Sequence, residues 1–422
     1  MSMNRRQFVT AAGSLALLPL VGCSTKPEAQ QVIVVGGGFG GSAVAKYLKK
    51  YQPSLKVILI EPNQTHVTCP GSNWHLANLV SMEQLTFNYE GLKKRGIQVI
   101  HDRVTEIDDK GHQVTLAGGQ KLSYTKLIVS PGIDFKWGAI DGVTQANAEK
   151  IPHAWQAGAQ TTLLKKQIET MKQGGTFVMI APPNPYRCPP GPYERVGMVA
   201  QYFKKHNPKA KIIVLDPKDK FSKQGLFVEA WQDLYGDMVE WTGVNDGGKV
   251  SKVDVSTMTV YAEAGEIKAD VINAIPPQKA GALAFTAGLT NETGFCPVNP
   301  TTFESTIKQD IYVIGDAAIA GAMPKSAHSA VSHAKMTAAA VVNALAGKSS
   351  FATINANTCY SLVSDNYAIS IVGVYSVQEG KIGEIKGAGG VSPAKADTDF
   401  RAMEAVYAKG WYSSITQDVW GS

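Results

Sequence analysis

Five cysteines stand in the 422 residues, Cys23, Cys69, Cys188, Cys296 and Cys359, and none falls in a C-x-x-C or C-x-x-C-H pattern. Metal clusters and covalent haem therefore have no cysteine motif in this chain. Cys188 sits beside Arg187 and just upstream of a helix start marked by Pro192, two features that favour a thiolate. An ordinary stapling disulfide fits the same residues. Cys69 lies in the turn-forming run Pro62 to Asn73, just past a strand that ends in Glu61. In open α/β sheets bound groups sit at that end of the strands, so Cys69 is a candidate contact. The plainer reading is a small apolar residue. His328 and His333, five apart on a helix, do not share a face and read as packed or solvated residues, not metal ligands.

The elements that must position these residues begin with QVIVVGGGFGGSAVAKYLKKYQPSLKVILIEP, from Gln31 to Pro62. Val32 to Val35 is a β-branched block of buried-strand composition. Gly36, Gly38 and Gly41 follow in the G-x-G-x-x-G spacing: a tight turn, a close backbone approach for a pyrophosphate, and close helix packing. A second strand, Lys56 to Ile60, delivers Glu61 about 20 residues on, where a ribose hydroxyl needs an acceptor. The motif marks a dinucleotide site without choosing FAD or a nicotinamide cofactor. Lys126 to Ser130 returns as a strand into Pro131-Gly132, and Ile311 to Ile314 runs into Gly315-Asp316 with a helix expected from about Lys325 to Leu345. Both segments resemble flavin-contact segments of two-dinucleotide-domain flavoproteins. They add Ser130, Gly132, Gly315, Asp316 and Lys325 to the candidate site and make the expected cofactor FAD.

A second βαβ unit starts at Thr176, with strands Thr176 to Ala181 and Lys211 to Pro217. The connection that should carry a glycine-rich phosphate turn reads Pro182-Pro183-Asn184-Pro185-Tyr186-Arg187-Cys188-Pro189-Pro190-Gly191-Pro192. Proline fixes φ and removes amide donors. The fold is expected to persist with its nucleotide site blocked, so NAD(P)H is not the expected electron donor.

The words Arg187 to Arg195 (RCPPGPYER), Leu164 to Gln167, Ile275 to Gln278, Gly294 to Val298 and Asn357 to Tyr360 resemble the flavoprotein subunits of flavocytochrome c sulfide dehydrogenases, over essentially residues 30–422. That resemblance implies an α/β chain with two Rossmann-like, glutathione-reductase-like domains and an α+β C-terminal domain. The implied boundaries are 30–150 and 276–350 for the FAD domain, 151–275 for the second domain and 351–422 for the third. It implies FAD joined covalently to Cys69, a redox disulfide between Cys188 and Cys359, and Glu194 as a nearby acid or base. Cys296 matches a family cysteine with no redox role. It implies hydrosulfide as substrate, and a c-type cytochrome subunit, with haem on that partner chain, as acceptor. Pro70-Gly71 departs from the bulkier residues expected beside Cys69. The competing readings are a sulfide:quinone reductase, disfavoured because no C-terminal amphipathic helix is evident, and a flavin electron-transfer or assembly protein without sulfide chemistry.

Hydrophobic content of 44% and charged content of 18% describe a globular protein with ample core. The net charge of +6 is too small and dispersed to point to nucleic acid. Asn4-Arg5-Arg6-Gln7-Phe8 followed by the apolar run Ala11 to Gly22 reads as a twin-arginine export signal over residues 1–23. Leu20-Val21-Gly22-Cys23 resembles a lipoprotein cleavage box, which makes Cys23 a candidate lipid anchor and the periplasm the expected location. In the last 70 residues, Ile369 to Val377 and the segment after Glu379-Gly380 read as hairpin strands, and Trp411, Tyr412 and Trp420 as core.

Overall fold

The computed structural model describes residues 30–351 and 354–421. The expected export signal and Cys23 lie outside them. Four strands, β1 (Gln31–Val35), β2 (Lys56–Ile60), β3 (Gln98–Ile100) and β4 (Lys126–Val129), form most of the first sheet, with α1 (Phe39–Tyr51) crossing between β1 and β2. Val32, Ile33 and Val34 are fully buried, as a strand covered on both faces requires.

The second domain repeats the plan with β5 (Thr176–Ile180), α2 (Gly191–His206), β6 (Lys211–Leu215), β7 (Val239–Thr242) and β8 (Val271–Ala274), parallel in the order β7-β6-β5-β8. The chain then returns to the first sheet through β9 (Ile311–Val313), which completes the parallel order β9-β4-β1-β2-β3. The helix expected after Gly315-Asp316 is α3 (Ala327–Leu345), its start fixed by Ser326, whose hydroxyl accepts from the Ser329 amide at 3.0 Å. Residues 138–175 hold one α-helix, Ala159–Thr170, a short 3-10 helix, Ala146–Glu149, and otherwise turns and irregular chain.

The third domain is an antiparallel sheet of β10 (Asn355–Ser364), β11 (Tyr367–Gln378) and β12 (Lys381–Glu384), closed by the 23-residue helix α4 (Thr398–Trp420). The sequence reading missed β10 and α4. Tyr412 and Trp420 are buried, as expected. A C-terminal helix is thus present and exposes Phe400, Met403, Val406 and Tyr407, although its apolar residues are spread over all its sides and do not make it regularly amphipathic. No described helix is long and apolar enough to cross a membrane.

Candidate active site

The carboxyl ends of β1, β2 and β4, the start of α2, the start of α3 and the middle of β10 converge on one cavity of about 1070 Å³. Gly36, Gly38, Glu61, Cys69, Ser130, Gly132, Cys188, Glu194, Gly315, Asp316 and Cys359 all line it. Two expected residues do not. Gly41 packs α1 against the turn, where a Cβ would overlap the Gly36 carbonyl oxygen. Lys325 spends its ammonium on the carbonyl oxygens of Asp316 (2.8 Å) and Ala318 (2.9 Å). It lies 4.0 Å over the Phe295 ring.

The residues present fit FAD. Gly36 has φ +99° and its Cβ would overlap the Ser130 carbonyl, so only glycine makes this turn. At Gly38 a Cβ would meet nothing in the protein closer than His66, at 3.5 Å. The demand for glycine there comes from the cavity side. Gly38 caps α1 with no side-chain hydrogen bond, which leaves helix amides open to an anionic phosphate. Glu61 accepts from the Gly37 amide (2.8 Å) and from Asn63, holding a carboxylate at the rim. Asp316 keeps a buried Oδ1 with no partner, as does the Nε1 of Trp155 on the cavity wall. Unmatched buried polar atoms need a ligand or water, and hydroxyls of a ribityl chain suit the carboxylate. Burial raises the Asp316 pKa, while Arg187 and Lys325 oppose that shift.

Cys69 precedes the short helix Ser72–Leu76, and its sulfur lies 3.4 Å from the Trp155 carbonyl oxygen. The unexpected Gly71 has a physical reason. It caps this helix at φ +80°, and a Cβ would come within 2.9 Å of Leu85. Thr68, fully buried, hydrogen-bonds the Tyr412 hydroxyl at 2.7 Å, so α4 clamps the Cys69 segment. Trp420 stacks on His66 and Phe87 and donates to the Ser42 hydroxyl at 3.1 Å, lying across α1.

Cys188 adopts φ +57°. Its amide donates to the Lys325 carbonyl oxygen at 2.7 Å, and its carbonyl accepts from Gly191 at 2.8 Å. Burial raises its pKa well above the ordinary thiol value, and Cys359, Glu194 and Cys69 add to that. Arg187 pulls the other way and loses, so the thiolate-favouring setting expected from the neighbouring residues is not realised. Cys359 and Cys188 are near enough that the charge of one bears on the other, and both are free thiols. Burial also raises Cys359, against Lys223 and a hydrogen bond from Asn357 Nδ2 to its sulfur at 3.4 Å. Ser326 (2.5 Å) and Ser329 (3.2 Å) donate to Asn357 Oδ1 and set that amide's orientation. Cys296 is fully buried away from the cavity, its pKa pushed up to about 12 by burial.

Glu194 accepts from Asn73 Nδ2 (2.8 Å), Trp74 Nε1 (3.0 Å) and the Leu362 amide (3.1 Å). Burial raises its pKa, and the three donors work against that. Beside it Arg195 is buried and donates to Asn73 and Asn273 side chains and to the carbonyls of His153 and Ala154. All these partners are neutral. Arg195, Asn73, Trp74, Asn357 and Lys223 carried no assigned role in the sequence. Arg195 and Asn357 stood inside the distinctive words and Asn73 in the turn-forming run after Glu61, while nothing local marked Lys223.

In the second domain, Asp216 follows β6 where Glu61 follows β2. Its fully buried carboxylate is taken by the Tyr193 hydroxyl (2.5 Å), Trp241 Nε1 (3.1 Å) and Lys218 Nζ (2.6 Å). Phe221 stacks on Tyr193 at 3.5 Å between centroids. The acid that a nucleotide ribose would use is already engaged. No group of three His, Cys, Asp or Glu among the described residues could hold a metal ion.

Known families agree with this layout. Residues 161–276 match the sulfide dehydrogenase (flavocytochrome c) flavoprotein chain, central. Residues 352–420 match the flavocytochrome c sulphide dehydrogenase, flavin-binding family, and residues 30–168 match the pyridine nucleotide-disulphide oxidoreductases. The sulfide dehydrogenase (flavocytochrome c) flavoprotein chain of Chlorobaculum thiosulfatiphilum is 59% identical over 44 residues, 10% of this chain and 92% of that short sequence. The mitochondrial sulfide:quinone oxidoreductase of Dictyostelium discoideum is 22% identical over 302 residues, 68% of this chain and 65% of its own length. Among solved structures, the sulfide:quinone oxidoreductase of Aquifex aeolicus shares the fold with a TM-score of 0.71 at 18% identity, covering 93% of each chain. With two parallel sheets, one of them opened by a glycine turn, a cavity whose lining fits FAD and both of its specific family segments matched, this chain belongs to the flavoprotein chains of flavocytochrome c sulfide dehydrogenase.

Proposed function

We propose that this chain oxidises hydrosulfide at a Cys188–Cys359 redox pair, with FAD attached to Cys69, and passes electrons to a c-type cytochrome that carries the haem. The observation that carries the reading is that Cys69, Cys188 and Cys359, far apart in sequence, line one cavity with the glycine fingerprint and Asp316. FAD bound there supplies a two-electron oxidant that can release its electrons singly. The protein's own part is thiol chemistry. With the pair oxidised, a hydrosulfide lone pair forms a new S–S bond to one cysteine, and the Cys188–Cys359 bond breaks. The bonding electrons leave on the other sulfur as a thiolate, and the proton stays on the terminal sulfur of the persulfide. Arg187, Arg195 and Lys223 supply the positive field that an anionic substrate and product require. Glu194, at the start of α2, is the acid or base within the same shell.

Anaerobic addition of sulfide to the holoprotein tests this. The visible flavin band should bleach. A band that sulfide leaves intact while dithionite removes it overturns the reading.

A quinone acceptor is the second reading, favoured by the exposed stripe on α4 and the quinone-linked relatives. Turnover with cytochrome c but not with a short-chain quinone supports the first acceptor, and the converse supports the second. The proposal includes export to the periplasm by the twin-arginine route with lipid on Cys23. Intact mass of the native protein tests the anchor: a mature N-terminus other than an acylated Cys23 removes it.

A further inference from the structure

Lys223 breaks three local rules at once. It is the residue immediately before the helix Gln224–Tyr235, a position that favours Ser, Thr, Asp or Asn. Its backbone is left-handed, φ +62° and ψ +29°, which is costly for a side chain without a local hydrogen-bonding role. Its positive charge stands at the positive end of a helix dipole. The left-handed turn sends the side chain inward, under the β10–β11 ladder. There Nζ donates to the carbonyl oxygens of Cys359 (3.2 Å) and Ile369 (3.2 Å) and to Ser361 Oγ (2.9 Å). All three are neutral, so the ammonium has its hydrogen bonds but no counter-ion among them. The Phe227 ring lies 5.7 Å away. A local conflict without local gain marks a site where another requirement dominates.

The titratable groups facing Lys223 are Cys359 on β10, Glu194 on α2, Cys188 in the loop before α2, and Glu404 on α4. Cys359 acts on it most strongly, and burial lowers the lysine's own pKa to about 8. Lys223 in turn is the largest influence opposing the rise in the Cys359 pKa. Arg187 plays the corresponding part for Cys188.

We propose that Lys223 is a positioning residue for the thiol couple: through the backbone and field of Cys359 it offsets the cost of burying that sulfur as an anion when the couple is open. The proposal deepens the sulfide reading and rests on it for its purpose, but its test reads the cysteine directly. The holoenzyme is reduced with dithiothreitol, and alkylation of Cys359 by iodoacetamide is followed against pH by peptide mass. In Lys223→Gln, which keeps a hydrogen-bonding group and loses the charge, the Cys359 profile should move up by about one pH unit or more. Alkylation at neutral pH then slows about tenfold. Lys223→Arg should restore most of the rate, and Ser361→Ala, which removes one neutral partner of the ammonium, should leave the profile in place. A Gln variant that titrates like wild type, or a Ser361→Ala variant that shifts as far as the Gln variant, makes Lys223 a structural clamp and overturns the proposal.

If the charge-removing variant does not fold, the wild type decides. The 13Cε signal of Lys223 should titrate at lower pH once the reduced Cys359 has been alkylated, and an unchanged midpoint overturns the proposal. Failure of wild-type sulfide to bleach the flavin would defeat the sulfide reading while leaving these titrations to stand or fall separately.

Discussion

Cys188 is held from both sides, by the Lys325 carbonyl and by Gly191, on a left-handed backbone that a small side chain tolerates poorly without such ties. Cys359, which lines the same cavity, has a donor fixed by two serines. Cys188→Ser and Cys359→Ser should therefore fold and keep flavin, yet lose reduction by sulfide while dithionite still bleaches them. A flavin-loaded Cys188→Ser protein reduced by sulfide at the wild-type rate would show the pair to be a mere staple. Glu194→Gln places an amide among three donors, so at least one buried donor loses its acceptor at a cost of about 1–3 kcal/mol. Chemical denaturation should show that loss, and the pH profile of sulfide-driven bleaching should lose one limb if the carboxylate moves a proton. At this scale spacing alone placed Gly36, Gly38 and Glu61 at the cavity, whereas Asp316 and the three cysteines, which also line it, drew their expected parts from resemblance to known segments. The sequence was silent on Lys223 and Trp155. Lys223 meets Cys359 only through the fold, and Trp155 meets Cys69 the same way, whereas Asn357 is a strand neighbour two residues before Cys359.

Among the elements, α4 does the least expected work. Asp397 caps it through the Phe400 amide at 2.7 Å, a signal that was present in the sequence. Apolar residues on all its sides, Gly410, and polar Gln417 and Asp418 near its end hid any regular period. Its buried side is split between the third domain and the FAD domain, and its remaining apolar side chains face out. Trp420→Ala removes the stack on His66 and Phe87 and the bond to Ser42, and should cost about 3–5 kcal/mol. Tyr412→Phe removes one neutral bond to Thr68 and should cost about 1 kcal/mol. If α4 clamps the Cys69 segment, acid-precipitated wild-type protein retains its yellow colour and the Trp420→Ala protein retains less per mole of chain. Equal retention would separate flavin attachment from the helix. Strands with β-branched runs, such as β2 and β5, were legible because their composition needs no partner to be recognised. β10 was not, since Asn355, Asn357 and Ser361 give it a polar face that only α3 and Lys223 explain.

Across the molecule, acid should act through buried imidazoles. His333, at the back of the Gly315 turn, accepts from the Gly315 amide, and burial lowers its pKa to about 3. The unfolded chain binds that proton near pH 6.5. Its contribution is thus fully present above about pH 6.5 and is lost as pH falls toward 3, by up to about 1.4 kcal/mol per pH unit. Glu194 and Asp316, raised by burial, bind protons more readily when folded and pull the opposite way. The clean measurement is therefore a difference. His333→Gln should flatten the dependence of unfolding free energy on pH between 6.5 and 4 relative to wild type, and parallel slopes would refute the assignment. The two-sheet plan was readable from the order of strands and turns, whereas the packing of the third domain on the first was not, because it depends on contacts more than 300 residues apart.

The first turns of α2 touch every lobe. Glu194 and Arg195 bond Asn73 and Trp74 in the first domain and Leu362 in the third, while Tyr193 bonds Asp216 in its own. A single helix that three lobes share leaves none of them a free surface on which to melt alone. The lobes should lose heat-absorbing structure together, in one sharp calorimetric peak, and a protease that nicks a surface loop should release no stable fragment.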